Sequence, residues 1–115
     1  VGGGAQRLGE LLYETTQLAP CRYVVNGLSI MELTADLRGG RALVQLLEMQ
    51  SGKTVLTLSS QDRSFEVKVD ASQIVEATVA ESEKTGRGVI QLLDAKGRKH
   101  LSVMMIGNDG DAHFQ

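Results

Sequence analysis

The sequence predicts a mainly β fold: one N-terminal helix packed on an antiparallel meander of about eight strands, in an open or barrel-like sheet. Three observations predict it. Period-two alternation runs through Phe65, Val67 and Val69 and again through Val75, Ala77 and Val79, placing each apolar set on one face of a strand. Short polar or glycine-containing segments punctuate the apolar runs, too short to hold the crossover helices of a parallel sheet. A single segment near the start carries helical spacing instead.

That helix is expected over Ala5–Leu18. Leu8, Leu11, Leu12, Thr15 and Leu18 make one stripe, Gln6, Arg7, Glu10, Glu14 and Gln17 take the other side, and Pro20 stops the helix. Cys21–Val25 follows as a short strand, and Asn26-Gly27 reads as a two-residue hairpin turn. The next segment, LSIMELTADL, fits a strand with a bulge at Met31, although its Ser29 and Glu32 also spell a helical capping box. Arg38-Gly39-Gly40-Arg41 turns the chain into Ala42–Gln50, and Ser51-Gly52 turns it again into Lys53–Ser59.

Gln61-Asp62-Arg63 leads into the stretch with the clearest pattern, from Ser64 to Ile106. Its expected strands are Ser64–Asp70, the alternating run around Val75–Val79, Gly88–Asp94 and Lys99–Ile106. The last two are more continuously apolar, as strands covered on both faces are. Glu83-Lys84-Thr85-Gly86-Arg87 and Ala95-Lys96-Gly97-Arg98 are the hairpin connections. The whole chain, 1–115, reads as one domain with flexible ends at 1–4 and 108–115.

Composition excludes several functions. The net charge of −2 gives no field to attract nucleic acid, and 3% aromatic residues leave no platforms on which bases could stack. No apolar run reaches the roughly 18 residues of a membrane span. No signal peptide is visible at Val1-Gly2-Gly3-Gly4, although a removed targeting segment would leave the same picture. The lone Cys21 fits a reducing soluble compartment such as the cytoplasm.

Chemistry-bearing residues are sparse. His100 lies inside an expected strand, where a histidine is more often a sheet residue than a ligand. His113 falls in the C-terminal segment, and neither histidine has partners at metal-ligand spacing. Asn108-Asp109-Gly110-Asp111 lacks the acidic spacing and late glutamate of a calcium loop. Gly2-Gly3-Gly4 and Gly86-Arg87-Gly88 lack the context of a phosphate cradle. Cys21 reads as a small buried hydrophobe, and Glu76, Glu81, Glu83 and Asp94 as solvated carboxylates on strand faces or turns. No constellation supports a catalytic mechanism, which points to a binding protein rather than an enzyme.

The central stretch SFEVKVDASQIVEATVAESEKTGRGVIQLLDAKGRKHLSVMMI resembles the C-terminal part of one structural repeat in the HemS/ChuX-like haem-utilisation family. The resemblance lies in an extended apolar strand, an Asp/Leu-x-x-x-Ile corner and a strand that precedes a polar turn. It ends in Asp94-Ala95-Lys96-Gly97 leading to a final strand at His100-Leu101. The leading helix is also compatible with such a repeat. The resemblance implies a curved antiparallel sheet offering a surface for haem or another tetrapyrrole, alone or paired with a second copy. Two departures bear on the site: the chain lacks the family's many sheet aromatics, and no histidine precedes the central strands. His100 is then the cofactor-binding candidate, as the one histidine in an expected ordered strand.

Two functions follow. One is a non-catalytic haem or tetrapyrrole carrier. The other is a protein-interaction module without a cofactor, in which Met31, Met49, Met104 and Met105 could serve an adaptable apolar surface, although core packing is the commoner use of methionine. Under either, an open sheet leaves unpaired edges and predicts a homodimer.

Overall fold

Residues 2–27, 29–81 and 88–106 are described by the structure, a computed structural model of the chain. Helix α1 (Gly2–Leu18) is followed by β1 (Cys21–Asn26), β2 (Ile30–Ala35), β3 (Ala42–Glu48), β4 (Thr54–Ser60) and β5 (Glu66–Asp70). A short 3-10 turn, η1 (Ala71–Gln73), then precedes β6 (Glu76–Glu81), β7 (Gly88–Leu93) and β8 (Lys99–Met105). One helix and eight strands, all paired antiparallel, match the expected mainly β class.

The strands form two open sheets rather than one meander. Five strands run in the order β2-β1-β8-β7-β6, and three in the order β3-β4-β5. The chain crosses between the sheets twice, after β2 and again at η1, where Asp70 caps the turn by accepting from the Ser72 amide. Closing that turn takes the chain off one sheet and onto the other. The β1–β8 pair joins distant parts of the sequence, with Cys21 opposite Met105, and the Ile106 amide adds a bond of 2.7 Å to the Pro20 carbonyl.

Helix α1 lies mainly against β3 and β4. Leu8, Leu12, Thr15 and Thr16 are buried, while Leu18, expected in the same stripe, is exposed beyond the packed turns. Gly9 permits the close approach: a β-carbon there would stand 3.1 Å from Val44 Cγ1 and 3.7 Å from Leu56 Cδ1. Gln17 fastens the helix end, donating to the Leu37 carbonyl and accepting from the Gly40 amide, each at 2.8 Å. Strand β4 is covered on both faces, with Leu56 to Ser60 all buried.

A single row of paired residues shows how burial fades across the larger sheet. Leu33, Tyr23, Val103, Ile90 and Val79 stand side by side on one face. Tyr23, Val103 and Ile90 are in the core, with the Phe65 ring 5.0 Å from that of Tyr23, whereas Val79 at the edge is 66% exposed. Truncating core leucines such as Leu12, Leu56 or Leu92 to alanine costs about 2–5 kcal/mol each.

Several expectations need correction. Strand β5 starts at Glu66, not Ser64, and Asn26, expected in the turn, belongs to β1 and pairs with Ile30. Strand β2 has no bulge at Met31; its register with β1 is continuous. The irregularity lies in β8 instead: Leu92 pairs with Leu101 and Leu93 with Lys99, so His100 is the extra residue. The Glu83–Arg87 connection, Asn108–Asp111 and His113 lie outside the described residues.

Candidate functional site

The β7–β8 turn contains the densest polar cluster around a sequence-chosen residue. Asp94, only 6% exposed, collects four hydrogen bonds: from the Lys96 and Arg98 amides at 2.9 Å each, and from Arg98 Nε and His100 Nε2 at 3.0 Å each. Gly97, at φ 78°, supplies the left-handed residue that closes the turn. The His100 bond, the two amides and the Arg98 guanidinium hold the Asp94 carboxyl well below the usual carboxylate range, and desolvation opposes them only in part. The sequence reading of Asp94 as a solvated carboxylate is therefore corrected: it organises the turn.

His100 is half-buried, and Nε2 is the ring nitrogen that faces Asp94 Oδ2. With Nε2 facing the carboxylate, Nδ1 is the ring nitrogen that Asp94 does not engage. A carboxylate behind a histidine in this way is the usual support of a metal-ligating imidazole. It is equally a sound way to pin a bulged strand to its turn.

A cleft of about 510 Å³ opens at the same end of the larger sheet, between α1, η1 and the start of β6. Ala5, Leu8, Leu11, Ile74, Val75 and Ala77 give it apolar walls, and Arg7 and Glu76 bring one charge of each sign to its lining. The register links it to the histidine turn, since Leu93 pairs with Glu76 on one side and Lys99 on the other. His100 itself is not among the lining residues. The sequence placed Arg7 on the polar side of the helix and Val75 and Ala77 on an apolar strand face. Their meeting depends on the chain crossing between sheets at η1, for which the sequence offers only the Asp70–Ser72 cap as a signal.

A second cleft of about 580 Å³ lies between β2 and the β4–β5 turn, with Asp36, Arg41 and Asp62 on its rim and Leu33 and Phe65 inside. Its charges are engaged locally. Asp36 holds Arg38 at 2.7 Å, and Asp62 accepts from Ser60 and from the amide and hydroxyl of Ser64. The Arg38 side chain lowers the Asp36 carboxyl to about 2, and the Ser60 and Ser64 bonds bring Asp62 to about 2.

Cys21 is fully buried, and burial pushes its thiol up to about 11. A thiol so protected carries no information about redox compartment. Among the described residues no group of three or more His, Cys, Asp or Glu side chains gathers to hold a metal ion, and no helix is long and apolar enough to cross a membrane.

No family model matches the sequence, and no curated protein does. Solved structures do match in shape. One, described as "Structure of the Heme Binding Protein ChuX", superposes with a TM-score of 0.61 at 12% identity, covering 88% of this chain and 60% of that one. A second, "Crystal structure of ChuX", gives 0.61 and 12%, covering 89% and 60%. This chain therefore spans about 60% of the length of the structures it matches. At that identity the likeness is one of architecture. The helix and its two antiparallel sheets make a ChuX-like fold.

Proposed function

We propose that this chain is a non-catalytic domain that binds haem or a related tetrapyrrole. The fold likeness to a haem-binding protein carries the reading, and the cleft beside α1 supports it. Its volume of about 510 Å³ suits a planar ligand of drug-like size, its walls are largely apolar, and Arg7, across a lining shared with Glu76, can pair with a carboxylate of the ring. Among the described residues the walls hold no His, Cys, Met or Tyr to ligate the iron. His100, at the same end of the sheet and backed by Asp94, is the residue that would bind the iron through its free nitrogen. Haem would supply the colour and the redox-active metal; the protein's part is to bury the ring and hold the imidazole in place.

The test is a haem titration followed by absorbance on wild type, His100→Ala and Ala77→Glu. A saturable Soret band that weakens in both variants supports the site as described. A band lost only in Ala77→Glu keeps the cleft and removes His100. No saturable band overturns the haem reading.

The second reading, a protein-interaction module, is favoured by one observation: β6 is an edge strand whose Val79, like Val75 just before it, is 66% exposed. Its interior, Ala77 to Ala80, carries no charge, proline or bulge to discourage pairing. A homodimer joining two β6 strands antiparallel, with Thr78 opposite its own copy and Ala77 opposite Val79, keeps both valines on one face and sets no glutamate against another.

A further inference from the structure

Strand β3, like β6 and unlike β2 with its Glu32, is an edge without a charge in its interior. Its free side lies at the margin of the three-stranded sheet, since β4 occupies the opposite side. The far edge of that sheet, β5, is guarded by Glu66 and Lys68, which alternate with its buried valines. In contrast, β3 runs Ala-Leu-Val-Gln-Leu-Leu before its first charge at Glu48, with no proline and an unbroken register.

Helix α1 runs alongside this edge, brought close by Gly9, and leaves a groove of about 410 Å³ between them. Tyr13, Val44 and Leu46 make its apolar lining. Glu10 and Glu14, one helical turn apart, form its wall together with Gln6, and among the described residues no cation lines it. Unpaired backbone groups, an apolar floor and an acidic wall thus lie side by side.

We propose that this groove binds an extended protein segment that adds to β3 as a further strand. The backbone edge supplies main-chain hydrogen bonds, and the floor takes apolar side chains at alternate positions. The acidic wall selects lysine or arginine among them, so the partner is a basic, apolar peptide rather than an acidic one. The groove lies on the opposite side of the helix from the cleft lined by Arg7, Leu8 and Leu11, so the inference stands apart from the haem reading.

The probe is a capped, fluorescently labelled peptide of repeated Lys-Lys-Val-Val, whose two faces both present lysine and valine in turn. At low salt, anisotropy should rise to saturation with the wild-type chain. Reversing the wall with Glu10→Lys and Glu14→Lys should weaken binding about tenfold, as expected for two exposed charge contacts turned repulsive. Circular dichroism checks that this variant remains folded, with Glu10→Gln and Glu14→Gln as a milder pair. Of the two alternate patterns of backbone N-methylation on the peptide, one should abolish binding. Bound peptide should slow amide exchange along β3 and not along β6. The proposal is overturned by the absence of saturation, by equal binding of both methylated peptides, or by protection at β6. Protection of β3 that grows with protein concentration and no peptide would make a second copy the occupant instead, and would overturn it too.

Discussion

At the residue scale, Asp94 makes stability depend on pH. Its folded carboxyl lies below the ordinary value near 3.9, so the stabilisation it contributes is complete above that value and is lost as pH falls. Asp36 and Asp62, each at about 2, act in the same direction between about pH 4 and 2. Melting temperature should therefore drop on acidification, and Asp94→Asn, which begins lower, should drop less; parallel curves would remove Asp94 from the account. Cys21 should resist a thiol reagent at pH 8 in the folded protein and react in urea, because its raised pKa and full burial leave neither thiolate nor access. The Tyr23 hydroxyl is buried beside the Cys21 thiol and makes no well-formed hydrogen bond among the described residues. Tyr23→Phe should accordingly match or exceed wild-type stability in denaturant, whereas Tyr23→Ala should lose about 3–5 kcal/mol. Cys21 was legible because alternation with exposed Arg22 shows which side faces inward. Asp94 was not: its role depends on the chain folding back so that two amides, a guanidinium and an imidazole converge on one carboxylate, although an aspartate opening a glycine-containing turn is a known sign of side-chain capping.

At the element scale, helix α1 separates two roles for glycine. Gly4 has open space where a β-carbon would go, so Gly4→Ala should stabilise by about 0.4–1 kcal/mol through reduced unfolded-state entropy. Gly9 stands against Val44, so Gly9→Leu should destabilise by about 1–3 kcal/mol by forcing helix and strand apart. Thermal melts of the two variants check both signs. The helix itself was plain in the spacing of Leu8 and Leu12. Strand β6 was plain too, yet its exposure was not, because alternation identifies a face without saying whether anything covers it. The same limit moved the bulge from Met31 to His100: a bulge is a property of a strand pair, and pairing partners are invisible in one segment.

At the scale of the whole molecule, helix-plus-strand content was legible and the division into two sheets was not. Each hairpin announces itself by its turn, but the β1–β8 pairing and the departure at η1 are long-range choices without a local mark. The two unguarded edges make association the property to measure. Sedimentation equilibrium should show concentration-dependent dimers that Val79→Lys converts to monomers; a wild-type monomer at all concentrations would rule out pairing through β6. The meeting of Cys21 with Met105 has a consequence of its own, in time rather than space. Strands β3, β4 and β5 are neighbours in sequence and can zip together early, whereas the central pair of the larger sheet must wait until some eighty intervening residues have been made and gathered, a loop whose closure is entropically costly. Refolding should thus be biphasic in its probes, with the small sheet and helix ordering first and the Tyr23 environment becoming native last.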